Sequence, residues 1–271
     1  MRRTLCIVGL IFIAVAASMS GQEAAGGSQD LAKQLSNPVA DLVSVPFQFN
    51  WEQPVGPTEA TRFVLNIQPV VPFSISKDWN LIGRWIMPII SQPSLGAGMA
   101  PSSGMSDIIF SSFFSPKVSK VIWGVGPVFG LPTTTDPTLG SGKWQAGPTF
   151  VVLKQNGPIT VGALGNHLWS FADATNAKRT SVNRSYLQPF LAYSTPAGIT
   201  YNVSSETSYD WSAAKGQKWT IPIIGQISKI TKFGPFPFSI GVGAGYYADS
   251  PSIGPDWKLR TNFVIILPQK K

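Results

Sequence analysis

From Val45 onward, apolar and polar residues alternate with a period of two. Val45, Phe47, Phe49 and Trp51 interleave with Gln48, Asn50 and Glu52, and Phe63, Leu65 and Ile67 with Arg62, Asn66 and Gln68. Tyr201, Val203 and Tyr209 stand against Asn202, Ser204 and Glu206, and Trp257, Leu259, Phe263 and Ile265 against Lys258, Arg260 and Asn262. Successive side chains of a strand point to opposite faces, so the pattern predicts strands with one apolar and one polar face. Twelve segments read this way: 45–53, 61–73, 79–91, 105–115, 121–132, 143–154, 159–171, 184–194, 199–210, 218–228, 237–249 and 257–267. Each is near the roughly 9–11 residues that a tilted strand needs to cross a bilayer. Segments 79–91 and 218–228 carry apolar residues on both faces. No run long and apolar enough for a transmembrane helix occurs after residue 20.

The connections are of two kinds. With the first strand running outward, outer connections fall at 54–60, 92–104, 133–142, 172–183, 211–217 and 250–256, rich in Gly, Ser, Thr and Pro. Inner ones fall at 74–78, 116–120, 155–158, 195–198 and 229–236, and most are tight. Long loops at one end, short turns at the other and an even strand number predict an all-β fold, an outer-membrane antiparallel barrel of about twelve strands. Trp51, Trp144, Trp169, Trp211, Trp219 and Trp257 lie near outer ends and Trp79 and Trp123 near inner ends, as expected of rings gathered where lipid meets water. Pro69, Pro88, Pro127, Pro148, Pro189 and Pro222 fall within strands, where a closed barrel has no free edge, so bulges are expected there.

Ahead of the barrel, Arg2 and Arg3 precede an apolar stretch from Leu5 to Ala17, followed by Ser18, Ser20 and Gly21. This is the layout of a secretory signal peptide over residues 1–20. As a helix the apolar stretch rises only about 20 Å, short of a membrane core of roughly 30 Å. Residues 21–44 form a leader before the barrel domain, 45–271. In the leader, Asp30 is placed to cap a short helix holding Leu31 and Leu35, which Asn37-Pro38 interrupts. The reading favours a loosely attached leader over a plug at the barrel mouth.

Composition sharpens this picture. Charged residues make up 13% of the chain, against roughly 25% in an average soluble domain, as befits strands with one face in lipid. Cys6 and His167 are the sole residues of their types, which excludes a disulfide scaffold and a Cys- or His-rich metal centre. Neither a metal nor a cofactor is expected. Net charge is +8, but the basic residues form no contiguous patch, so nucleic acid is not an expected partner.

Specific strings carry a resemblance. Ser44-Val45-Pro46-Phe47-Gln48-Phe49-Asn50, Asn66-Ile67-Gln68-Pro69-Val70-Val71-Pro72-Phe73 and Asp78-Trp79-Asn80-Leu81-Ile82 are among them. So are Phe113-Phe114-Ser115-Pro116-Lys117, Trp123-Gly124-Val125-Gly126-Pro127, Ala146-Gly147-Pro148-Thr149, Asn166-His167-Leu168-Trp169-Ser170-Phe171 and Leu187-Gln188-Pro189-Phe190. From about residue 30 onward the chain resembles a bacterial outer-membrane barrel family linked to meta-pathway phenol degradation, whose members are labelled transporters or neuromedin U. The resemblance implies a Gram-negative outer-membrane location and transport of aromatic solutes. One departure concerns assembly: such barrels often end on an aromatic residue, whereas this chain ends Leu267-Pro268-Gln269-Lys270-Lys271, which leaves Phe263 to serve.

The charges sort by place. Lys143, Lys178, Arg179, Arg184, Lys215, Lys218 and Lys258 fall at outer loops or rims, and most other lysines at inner turns. Within strands stand Arg62, Arg84 and Arg260 against Glu52, Asp107 and Glu206, all on the lumen face. Glu52 and Arg62 flank the first loop symmetrically and are expected to face each other, with Arg260 nearby. With Gln48, Asn50, Asn66 and Asn202 these form the candidate constriction. Three against three predicts a near-neutral lumen, suited to small neutral or weakly polar solutes, aromatic ones included, that diffuse passively. The alternative is a structural or adhesive barrel whose side chains fill the narrow lumen. A membrane-embedded hydrolase ranks third, because His167 and Ser170 fall on opposite faces of one strand. No enzymatic activity is expected. Gly241, Gly243 and Gly245 share a face, where missing side chains leave room inside, as do Gly124 and Gly126. Expected partners are outer-membrane lipid, a small-molecule solute and the barrel-assembly machinery, the protein itself being a monomer.

Overall fold

The structure is a computed structural model that describes residues 24–267 apart from 97, 175–178 and 235. The expected export signal and the Pro268–Lys271 tail lie outside the described residues. One helix, α1 (Ala24–Leu35), precedes twelve antiparallel strands. These are β1 (Val43–Val55), β2 (Ala60–Ile67 with Val70–Ser74), β3 (Trp79–Gln92) and β4 (Ser102–Met105 with Ile108–Pro116). Next come β5 (Ile122–Leu131), β6 (Lys143–Asn156), β7 (Ile159–Asp173) and β8 (Asn183–Ser194). The last are β9 (Ile199–Ser205 with Thr207–Asp210), β10 (Trp219–Phe233), β11 (Phe236–Asp249) and β12 (Trp257–Leu267). Each strand pairs with its chain neighbours, and β1 pairs with β12 from Val43↔Leu267 to Gln53↔Trp257. The sheet is therefore a closed barrel, and every predicted segment coincides with one of its strands.

The period-two pattern sorts the faces as predicted. Leu187, Leu191, Val203, Ile223, Val242 and Leu259 are exposed on the outside, while Asn50, Ser111, Thr149, Thr160, Ser194 and Arg260 are buried inside. Trp51, Trp144, Trp169, Trp211, Trp219 and Trp257 show their rings at the loop end of the outer face, and Trp79 at the turn end, edge-on to Trp123.

Each of the six prolines expected at bulges sits at an interruption of the ladder, although only one is a register shift of the kind expected. That one is Pro222, where the pairing slips between Ile221 and Pro222. Pro69 lies in the gap that divides β2. Pro88 stands opposite the gap in β4, its carbonyl accepting the Ser106 amide at 2.9 Å, and Pro189 opposite the gap in β9. Pro127 and Pro148 face each other, and the pairing lapses beside each, toward β4 and β7 respectively. A proline has no amide hydrogen to donate, so each leaves the facing carbonyl free and the ladder opens there.

The leader corrects the expectation of loose attachment. Helix α1 begins at Ala24, so Asp30 sits inside it rather than capping it. It ends at Leu35, where the Ser36 hydroxyl bonds the Ala32 carbonyl at 3.0 Å and Asn37 Oδ1 accepts the Val39 amide at 3.0 Å. Pro38 cannot extend the helix. The helix lies in the turn-end mouth against β8, β9 and β10. Ala32 is buried there with Ala40, Leu42, Ile230 and Ile266. Gln29 Nε2 donates to the Ser194 carbonyl at 2.8 Å, and Gln155 Nε2 to the Lys33 carbonyl at 2.9 Å. Beyond the helix, Val39 reaches deeper and packs on Ile82, Phe113, Val151, Leu153 and Leu164. The leader thus packs as a plug into the turn end of the lumen.

Candidate functional site

The lumen has an apolar half and a polar half. The apolar half is the Ile82–Phe113–Val151 cluster, joined by Val70, Ile122, Tyr186 and Phe190. Across from it, β9 to β12 and β1 to β3 supply charges and amides. Glu52 and Arg62 are direct cross-strand partners, as expected. Arg62 Nη2 lies 2.7 Å from Glu52 Oε2, and the other carboxylate oxygen accepts the Tyr247 hydroxyl at 2.7 Å. Arg260, opposite Asn50, donates to Asn50 Oδ1 at 2.7 Å. Its main partner is Glu206, held by two parallel bonds of 2.7 and 2.8 Å. A paired fork of this kind fixes geometry as well as charge.

Glu206 reaches the lumen from the gap in β9, across from Gln188 and beside the lapse at Pro189. It also accepts Lys258 Nζ at 3.1 Å. Lys258 is the first correction to the predicted site. It does not stand at the rim but points inward two residues from Arg260, 3% exposed. Its ammonium lies 5.5 Å from the Tyr247 ring centroid. The alternation with Arg260 and Asn262 carried that signal; its place at the strand end concealed it. Room for the Lys258 stem comes from the glycines of β11, since a Cβ on Gly245 would lie 3.2 Å from Lys258 Cγ.

Asp107 is the second correction. It falls in the gap that divides β4, where the parity of the strand is reset, and it serves the loop between β5 and β6. Its carboxylate accepts the Ser141 amide at 2.6 Å, the Ser141 hydroxyl at 2.7 Å and the Thr134 amide at 3.3 Å. Arg179 fastens the same loop through the carbonyls of Gly140 and Pro137 at 2.9 and 2.8 Å. We expect Asp107→Ala to loosen residues 132–142, read as faster protease cleavage there in proteoliposomes. Cleavage at the wild-type rate would contradict this anchoring role.

The amides fill the space between the charges. Asn66 bonds Gln48 Oε1 at 3.2 Å, and Asn262 bonds Gln226 Oε1 at 2.7 Å. Arg84 donates to Gln68 Oε1 at 2.9 Å and has no carboxylate partner among the described residues. Asn202 lines a cavity beside it. The charges of this network are therefore Arg62, Arg84, Lys258 and Arg260 against Glu52 and Glu206, and Lys143, expected at the rim, is also buried on the inner face, where Asp173 balances it at 2.5 Å. The three-to-three balance becomes a surplus of two cations.

His167 faces outward, away from Ser170, whose hydroxyl accepts the Val182 amide at 2.9 Å. Its Nδ1 lies 2.8 Å from the hydroxyl of Ser185, its cross-strand partner, which also accepts the Trp211 indole N–H at 2.9 Å. Its ring packs 4.0 Å from that of Trp169, so it belongs to the aromatic rim.

No known family profile matches the chain, and no curated protein matches its sequence. Solved structures do match. An outer membrane channel from Pseudomonas putida F1 superposes with a TM-score of 0.58 at 14% identity, over 83% of this chain and 94% of that one. The likeness is one of fold. CdiB from Acinetobacter baumannii aligns at a TM-score of 0.41 and 9% identity, over 83% of this chain and 47% of its own.

Proposed function

We propose that the chain is an outer-membrane channel through which small solutes, aromatic ones among them, pass by diffusion. The observation that carries this reading is the contrast of faces. The outside is an uncharged apolar band between two rims of Trp, while the inside holds a file of charges and amides from Glu52 to Asn262. A polar interior is wasted on a barrel that admits nothing. The long loops then face outward and the plug faces the periplasm. The closed ladder leaves no strand edge to pair with a second copy, which suits a monomer seated in lipid. The sequence expectation of neutral cargo rested on a balanced lumen, and the surplus of two cations withdraws that support.

The plug must yield for solutes to pass. The helix itself is seated by Ala32, Leu31 and Leu35 against Ile230, Ile266 and Val264, plus two side-chain bonds to backbone carbonyls. A charge at Ala32, which is 3% exposed, has no partner there and expels the helix. The full chain in planar bilayers is therefore expected to show a small conductance that rises several-fold in Ala32→Glu. The packed Phe113–Val151 half of the lumen favours a second reading, a structural barrel that stays shut. If neither ions nor aromatic solutes cross membranes containing wild type or Ala32→Glu, that second reading replaces the first.

A further inference from the structure

We infer that the lumen holds a binding chamber for a small organic carboxylate, with Arg84 as its anion-binding group. This rests on the channel reading and names a class of solute for it. A cavity of about 220 Å³ lies between the plug and the barrel wall. Its walls include the polar Arg84, Gln188 and Asn202 and the apolar Leu35, Phe190 and Val264. Roughly 150 Å³ of apolar space accommodates a benzene ring, so the chamber has room for a ring and a small polar group.

The charges around the chamber are unequal. Arg62 is matched by Glu52, and Lys258 and Arg260 share Glu206. Arg84 alone among these cations has no carboxylate, and its one hydrogen bond, to Gln68 Oε1, occupies a single N–H of five. The amides beside it are also free to donate. Gln188 has its oxygen occupied by the Tyr186 hydroxyl at 3.1 Å, which leaves its NH₂ group available, and Asn202 bonds no described residue. None of these groups is among the sealed, unpartnered atoms of the molecule. A guanidinium inside a barrel is costly unless an anion meets it. Among the described residues no carboxylate lies within ion-pair distance of Arg84, and two amide donors line the same space. A carboxylate accepts two parallel bonds from Arg84 and a third from an amide, and its carbon skeleton lies against Phe190, Leu35 and Val264. The roof of the chamber is the segment from Gln34 to Leu42, so the same movement that unseats the plug opens it.

The test uses the full chain in lipid nanodiscs, titrated calorimetrically with benzoate, benzyl alcohol and benzylamine, three probes of similar size and different charge. Benzoate should bind saturably with one site, and more tightly than the alcohol, with no binding of the amine. Arg84→Gln should weaken benzoate by about tenfold or more while leaving the alcohol unchanged, and Arg84→Lys should keep part of the affinity by keeping the charge. Benzoate binding no tighter than benzyl alcohol, or untouched by Arg84→Gln, would overturn the inference. If Arg84→Gln does not fold, the ranking of the three probes on wild type decides alone. Titration reads binding without transport. Conductance with no benzoate binding removes the carboxylate site only, and benzoate binding with no conductance removes the channel only.

Discussion

Glu206→Gln is expected to lower the stability of the barrel by about 3–5 kcal/mol, because it strands two buried cations at once. Lys258 and Arg260 side chains are each 4% exposed, and the Glu206 carboxylate is the acceptor both use. Glutamine keeps the shape and can still accept one bond, but it removes the charge. Lys258 then has only its cross-strand partner Glu52, which Arg62 already occupies, and Arg260 keeps only Asn50. The four cations of this network would face Glu52 alone. The measurement is thermal unfolding in detergent, followed by the shift in gel mobility between folded and heated protein. Adding Lys258→Met to Glu206→Gln should restore part of the loss, because it removes one stranded charge. A single variant as stable as wild type would show that lumenal water screens these groups, and the network would lose its structural role.

Gly147→Ala is expected to be as damaging for a different reason. A Cβ at Gly147 would lie 1.7 Å from the carbonyl oxygen of His167, a backbone atom that cannot swing aside. The close approach exists because the ladder between β6 and β7 lapses at Gly147-Pro148, where the proline offers no hydrogen and the neighbouring strand presses in. Gly126, before Pro127, repeats the arrangement, with Ser112 O at 2.0 Å from its ideal Cβ. Forcing a methyl into such a contact displaces backbone in two strands and costs upwards of about 3 kcal/mol. Gly225→Ala is the control, since nothing lies within 4 Å of that Cβ. If both variants fold in equal yield and melt together, the Gly-Pro pairs are not close-approach sites.

Strand positions were legible because the period of two survives in nearly every segment, and the same parity put Glu52, Arg62 and Arg260 inside. What parity cannot register is a break. Asp107 was assigned inward by counting along β4, but the gap opposite Pro88 restarts the count. The in-strand prolines were visible throughout; that each one opens the facing ladder needed the partner strand. Lys258 was misplaced by its nearness to a loop, although its spacing from Arg260 already put it on the lumen face. The plug was hardest to read. Ala32 meets Ile230 and Ile266 from the far end of the chain, and no local pattern in residues 24–35 encodes those partners. The Arg84 chamber was hidden for the same reason, being walled by six strands and the leader.

The seat of α1 also fixes an order of events. Ile230 belongs to β10 and Ile266 to β12, and Ile266 forms the second pair of the β1–β12 seam, with Ser44. Ile266 is not in place until the last strand has docked on the first. A segment synthesised before the barrel therefore completes its seat only after the last strand is in place. An assembly intermediate with an open seam leaves residues 24–35 accessible, and a finished barrel shields them. The plug thus reports completion: its protection from proteolysis during refolding should rise only after the β1–β12 ladder has formed.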